Sequence, residues 1–322
     1  LNEFDLIRQF FSHTGPDRAD VALGIGDDCA LLRVPQGRVL AVTLDTLVEG
    51  VHFRPGVDPE SLGHKALAVN LSDLAAMGAE PAWVTLALTL PSSDEPWLAA
   101  FSRGFARLAA AHGVQLVGGD TTRGPLAISV QAHGFLELGR ALRRSGARAG
   151  DLIYVTGTLG DAGLALRIQQ GLAVADEYLS YLQSRLDRPS PRIVEGQALL
   201  GIASAAIDIS DGLLADLGHI CEASGLGASL QLRSLPCSPA VADTVATNGD
   251  WALPLASGDD YELCFTVPPE HLERLEGVAD RFECGLTCIG AIEPQPGLRC
   301  IKPDGSLLDP PSLGYDHFRT DG

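Results

Sequence analysis

Residues 39–44 (VLAVTL) are apolar and rich in β-branched side chains, and they predict a buried strand that ends on Asp45. A turn then presents His52 and Phe53. Residues 61–76 carry apolar side chains at helical spacing, Leu62, Ala66, Val69 and Leu74 among them. Asn70, Ser72 and Asp73 make the end of that run too polar for a pure core helix. Around this centre, residues 2–11 predict a short amphipathic helix with Phe4, Ile7, Phe10 and Phe11 on one face. Residues 30–34, 82–90 and 126–136 predict strands. Residues 96–111 predict a helix with Trp97, Phe101, Phe105 and Leu108 in register and a stop at His112-Gly113. Residues 114–117 predict a short strand that runs into a glycine pair.

The second half repeats the mixture. Residues 152–156 predict a strand, followed by a glycine turn and a helix over 164–170. Residues 176–186 read as a polar, exposed helix, and Pro189 and Pro191 break the chain before another helix over 193–203. Strands at 205–209 and 263–267 flank a helix over 213–223 whose core face carries Leu213, Leu214, Leu217 and Ile220. Short alternating segments close the chain, ending in the aromatic cluster of residues 314–318, which reads first as a docking anchor.

A length of 322 residues predicts two domains. The net charge of −18 makes the chain a poor binder of nucleic acid or of an anionic membrane, and a phosphate ligand would need cations to mediate. No apolar run approaches a membrane span, and the first residues lack the basic region and cleavage site of a signal peptide. Seven cysteines are an odd, scattered set. Cys284 and Cys288 have no second pair at zinc-site spacing, so buried free thiols are expected, as in a cytoplasmic protein.

Charge changes the picture most where acids recur beside glycine. Asp28 follows Gly24-Ile-Gly-Asp; Asp45 ends a predicted strand; Asp73 sits on the adjacent helix. Asp120 follows Gly118-Gly119, and Asp208-Ile-Ser210-Asp211-Gly212 ends another strand. Any one of these acids alone reads equally well as a cap or turn residue. Six together are hard oxygen ligands suited to Mg²⁺. The one basic cluster, Arg140, Arg143, Arg144 and Arg148, reads as a phosphate clamp or as a solvated linker, and it marks the expected domain boundary. Residues 157–163 form a glycine turn that either cradles an anion or packs closely; there is no Walker A lysine. No nucleophile–base pair stands out. Carboxylates, arginines and glycine turns fit phosphoryl transfer from a nucleotide, in which catalysis is positioning and charge neutralisation.

The segments GIGDDCA, TLDTLVEGVHF, KALAVNLSDLAAMGA, GGDTTRG, GRALRRSGA, DLIYVTG, IDISDGL, DDYELCF and GYDHF, in this order, resemble the thiamine-monophosphate kinase family. That family lies within the superfamily of aminoimidazole ribonucleotide synthetase and selenophosphate synthetase. The resemblance implies a mixed α/β fold. An N-terminal sheet-plus-helix domain (1–138) would pair across a homodimer into a barrel-like core, and a C-terminal α/β domain (139–322) would follow. It implies transfer of phosphate from ATP to thiamine monophosphate, with several Mg²⁺ ions bridging the phosphates. At matching positions, the metal ligands would be Asp28, Thr43, the backbone at Leu44, Asp45, Asp73, Asp120, Asp208 and Asp211. Asp120, Asp208 and Asp211 would be central to catalysis. Gly119, Asp120, Arg144 and Ser210 would meet ATP; His52, Asp259 and Tyr315 would meet thiamine monophosphate. A phosphate acceptor is already ionised near neutral pH and needs no general base. One departure is Ser257-Gly258-Asp259-Asp260-Tyr261-Glu262 where the family usually shows Gly-Gly-Glu-Asp-Tyr-Glu, so the acid at 259 is one methylene shorter. Three rivals stay open: another ATP-dependent enzyme of the superfamily, a noncatalytic divalent-cation-binding protein, and a redox or zinc protein with only Cys284 and Cys288 behind it.

Overall fold

The structure is a computed structural model that describes residues 3–309. Tyr315 and the rest of the terminal aromatic cluster lie outside the described residues. The chain divides into two compact units: residues 1–74 with 79–141, and residues 75–78 with 142–322.

The first unit contains helices α1 (Glu3–Phe10), α2 (Pro59–Ala76) and α3 (Glu95–Ala111). Its strands are β1 (Val21–Leu23), β2 (Leu31–Leu32), β3 (Arg38–Val48), β4 (Glu80–Leu90), β5 (Gln115–Arg123) and β6 (Ala127–Glu137). β1 and β2 form a small antiparallel ribbon, and the other four make a sheet in the order β3-β6-β4-β5. Only β4 and β5 pair in parallel, with α3 as their crossover. α3 starts where the sequence says: Asp94 caps it by accepting the Trp97 N–H, and Pro96 follows in the first turn. Its apolar face, with Leu98, Phe101 and Phe105, is fully buried. α2 carries Leu62, Leu67, Leu71 and Leu74 into the core, and Asn70 and Ser72 are buried with them. Asn70 is satisfied there: its amide donates to the Ala66 carbonyl and its oxygen accepts the Asp45 N–H at 3.0 Å.

Several expectations give way. The strand at 39–44 is not buried and does not end on Asp45. β3 runs to Val48 as an end strand, with Leu40, Val42 and Leu44 exposed to 39%, 51% and 57%. An apolar run signals a buried strand only when both edges and faces are covered, and here β6 alone pairs with it. The strand expected at 30–34 shrinks to two residues, and Asp27 and Asp28 sit in a turn before it. The glycine pair 118–119 and Asp120 lie within β5, not in a turn after it.

The second unit holds a seven-stranded sheet in the order β13-β12-β9-β11-β7-β10-β8. Its strands are β7 (Leu152–Thr156), β8 (Ala205–Ile209), β9 (Gly227–Gln231), β10 (Glu262–Val267), β11 (Leu286–Glu293), β12 (Gly297–Ile301) and β13 (Leu307–Leu308). Its helices are α4 (Asp161–Gln169), α5 (Asp176–Asp187), α6 (Ile193–Ala198), α7 (Leu213–Ser224), α8 (Pro239–Asn248), α9 (Ala252–Ala256) and α10 (Leu272–Ala279). α7 packs its leucines with Ile153, Val155, Ile207, Ile209, Leu230 and Ile289 of the sheet. α4, α5 and α8 share a second core around Leu164, Leu182 and Val241. α5 is therefore not simply an exposed helix: Leu182 and Leu186 are buried. α6 stops at Ala198, short of the expected 203. All seven cysteines are free as expected, but Cys288 is exposed and Cys284 is only half-buried.

Candidate active site

The first unit gathers part of its expected set where α2 meets β3. The Thr43 hydroxyl donates to Asp73 Oδ2, and the N–H of Asp45 is held by Asn70. These contacts tie the Thr43 and Asp73 side chains to each other and the Asp45 backbone to α2. Asp120 stands apart from them. In register, Asp45 aligns with Val130, Leu86 and Gly119, while Asp120 aligns with Ala87, Ser129 and Thr46. Neighbouring rows project to opposite faces, so Asp45 and Asp120 leave opposite faces of the sheet. They also lie three strands apart, roughly 14 Å at ordinary strand spacing. Asp120 is exposed, as is Asp28, whose N–H is tied to Asp27 Oδ1 at 2.9 Å. Glycine at 119 has a structural reason of its own: a Cβ there would come within 1.9 Å of the Leu86 carbonyl oxygen.

His52 follows β3. Its Nδ1 accepts the Val48 N–H at 3.0 Å, so in the neutral ring the proton lies on Nε2. Phe53 beside it lines a cavity of about 410 Å³ with Leu62, Trp97 and Leu126, and with the carboxylates of Glu49 and Asp94.

The second unit concentrates its acids at one end of the sheet. β7 and β8 end there, and the antiparallel β10 begins there, so the loops 157–160, 210–212 and 257–261 are neighbours. Asp208, in β8, is buried. Asp211 does not cap α7; Gly212, with no side chain of its own to accept, occupies the cap position. The three successive N–H groups of Ser210, Asp211 and Gly212 instead donate to Asp216 Oδ2, each at 3.1 Å. Burial pushes the Asp216 carboxyl up to about 8, with the charges of Asp208 and Asp211 adding to it, despite those three donors.

The glycine turn at 157–163 closes on acids of the protein itself. Gly160 N–H points at both oxygens of buried Asp260, 3.0 Å each, and Asp161 accepts from Thr158 and Tyr181. Glu262, with no exposure, accepts from Thr156, Arg185 and Arg192. A Cβ at Gly157 would lie 2.2 Å from Glu262 Oε1, so close packing is what this turn requires. Asp259 is half-buried in the loop 257–261. Arg144 is exposed. Its neighbour Arg143 accepts the Ala206 N–H, which places Arg144 beside the free edge of β8, roughly 7 Å of strand short of Asp208.

Asp216 and Tyr261 are the residues that sequence reasoning missed. An acid in the first turn of a helix normally signals capping, and the signal lay in DISDGLLAD, three acids around one turn.

Among the described residues, no three His, Cys, Asp or Glu side chains form a preformed metal cage. The donors present nevertheless fit Mg²⁺. They are all oxygens: Thr43 and Asp73 already meet, and Asp208 and Asp211 flank one turn. Mg²⁺ typically takes one or two carboxylates and completes its shell with phosphate oxygens and water.

Two consecutive family descriptions match this arrangement: AIR synthase related protein, N-terminal domain, over residues 26–136, and C-terminal domain, over residues 148–302. The class is thus the AIR synthase related proteins. The thiamine-monophosphate kinase of Salmonella typhimurium is 52% identical over 322 residues, spanning 99% of this chain and 98% of that one. The crystal structure of the thiamine-monophosphate kinase from Stenotrophomonas maltophilia K279a is 48% identical, with a TM-score of 0.84 over 91% of this chain and 93% of its own. AaThiL complexed with AMPPCP and TMP is 34% identical, with a TM-score of 0.76 over 91% and 92%. The chain belongs to the thiamine-monophosphate kinase family, whose members are phosphotransferase enzymes.

Proposed function

We propose that this chain transfers the terminal phosphoryl group of ATP to the phosphate of thiamine monophosphate, giving thiamine diphosphate and ADP. The observation that carries the reading is the acidic end of the second unit's sheet, where Asp208 and Asp211 flank one turn, their charges helping to raise Asp216, and Asp259 lies in the next loop. So much negative charge suits cations: metal ions carrying phosphates, and the cationic thiazolium. AaThiL, complexed with AMPPCP and TMP, supports the same pair of ligand types.

Asp28, Thr43, the Leu44 carbonyl, Asp45, Asp73, Asp120, Asp208 and Asp211 would hold Mg²⁺ ions, with Asp120 serving an ion apart from the Asp45–Asp73 group. When bound, Mg²⁺ neutralises phosphate charge and so lowers the repulsion between donor and acceptor anions. Asp208 and Asp211 fix that charge at one turn, and Ser210 and Gly119 meet ATP with Arg144. His52 offers Nε2–H to the acceptor phosphate; Asp259 faces the thiazolium, with Tyr315 on a ring face. The acceptor oxygen is already ionised, so no residue has to remove a proton. Residues 1–138 serve as the metal and dimerisation domain, residues 139–322 as the second. Leu40, Val42 and Leu44 on β3 form the surface where a second copy docks. Seven free thiols favour the cytoplasm.

Purified protein with Mg²⁺, ATP and thiamine monophosphate is expected to form thiamine diphosphate, read by chromatography, and to stop on adding EDTA. Folded protein that binds Mg²⁺–ATP but yields no product would overturn the acceptor. Val42→Lys is expected to turn a dimer into a monomer by sedimentation; a monomeric wild type would end the homodimer reading.

A further inference from the structure

The loop between α9 and β10 contains the two non-glycine residues with left-handed backbone among the described residues, Asp259 (φ 67°) and Tyr261 (φ 50°). Aspartate tolerates this region; a bulky aromatic side chain does so rarely. Two such residues in one short loop persist only where surrounding contacts over-determine them. Those contacts are present. The Asp259 N–H donates to the Ser210 carbonyl and the Tyr261 N–H to the Ile209 carbonyl, each at 2.8 Å. Between them, the Asp260 side chain is buried and receives the Gly160 N–H. Anchored at three successive residues, the loop turns Asp260 inward. The side chains of 259 and 261 then meet, and the Tyr261 hydroxyl donates to Asp259 Oδ1 at 2.9 Å.

The atom of Tyr261 that reaches the carboxylate is its hydroxyl, the one group phenylalanine lacks. We infer that Tyr261 is a positioning residue for Asp259: its hydroxyl holds the carboxylate in one rotamer, aimed at the cationic heteroaromatic ring of the acceptor. The inference rests on the proposed function, in which Asp259 meets the thiazolium. A short acid on a strained backbone has few rotamers to search, and one fixed hydrogen bond selects among them before the ligand arrives. The strained backbone is then the means of bringing a hydroxyl two residues away into reach.

The test compares wild type, Tyr261→Phe, Asp259→Asn and the double variant in steady-state kinetics, with thermal melting of each. Tyr261→Phe is expected to raise KM for thiamine monophosphate about 3- to 10-fold, the range of one ordinary hydrogen bond. Its kcat and its KM for ATP stay within twofold of wild type. In the Asp259→Asn background the same change is expected to add less than about twofold, because the partner charge is gone. A Tyr261→Phe variant with wild-type KM overturns the inference. So does an equal effect in both backgrounds, or a loss spread over kcat and both KM values, which marks a merely structural hydroxyl. These outcomes are separate from failure of the parent reading, which shows as a wild type that makes no thiamine diphosphate at all.

Discussion

Asp120 and Asp208 look alike in the sequence, acids near glycine at the end of a predicted strand, and the structure treats them differently. Asp120 stands exposed on the open face of a four-stranded sheet. Asp208 is buried in an end strand of a seven-stranded sheet, near Asp211 and Asp216. The same contrast runs through the two units. In the first, the acids are spread over strand edge, helix and turn, so ligands and ions must organise them. In the second, backbone N–H groups lock the side chains of Asp216 and Asp260, whose carboxyls burial raises, so the fold fixes the setting of Asp208 and Asp211 in advance. Preorganised charge is worth more in a low-dielectric setting than charge that must be gathered. On the proposed function, the second unit would hold the reacting phosphates and the first the more exchangeable ions.

The contrast can be broken. Asp208→Asn removes one charge at a buried position with little change of shape, and turnover is expected to fall by about 100-fold or more while the melting temperature holds. Asp120→Asn is expected to cost roughly tenfold, recovered in part by raising Mg²⁺, since an exposed ion site can be filled by mass action. Equal losses for both variants at saturating Mg²⁺ would dissolve the distinction between fixed and gathered charge.

A pH measurement sharpens it. Burial raises the Asp260 carboxyl well above its ordinary value, though Gly160 N–H and Arg185 act against this, with Asp161 and Glu262 adding to the rise. The folded state therefore keeps a proton that the unfolded chain releases above about pH 4. This contribution is complete below pH 4 and is lost as pH rises toward the folded value, at up to about 1.4 kcal/mol per pH unit. Asp260→Asn cannot ionise and lacks the slope. Its stability relative to wild type, from urea melts at several pH values, is expected to rise with pH. A constant difference would mean that Asp260 is ionised in the fold. The smallest effect is expected at Arg144, exposed beside β8: Arg144→Ala raises KM for ATP a few-fold, about 1 kcal/mol, and leaves KM for thiamine monophosphate unchanged.

Most elements were legible because their signals are local. Leu152–Thr156 and Ala205–Ile209 match the expected strands residue for residue, and α3 begins and ends on its own caps. What the sequence hid depends on the neighbours of an element. The apolar run at 39–44 looks the same whether a strand is central or terminal. Gly118-Gly119 looks like a turn, and only the Leu86 carbonyl explains glycine inside a strand. Arg185 and Arg192 gave no sign of converging on Glu262, about 70 residues or more along the chain. The six acids were visible; that Asp45 and Asp120 leave opposite faces was not, because that follows from register. Asp216 was passed over because first-turn acids are commonplace.

The outward side of β3 has a consequence for making the protein at all. An eleven-residue strand paired with one neighbour only, with Leu40, Val42 and Leu44 turned outward, offers a sticky apolar face even though Asn70 and His52 take up two of its N–H groups. A newly synthesised chain carries that face from the moment the first unit folds. Crowded, hot or rapid expression should therefore send it into inclusion bodies, and a single gatekeeping lysine on that face should raise the soluble yield.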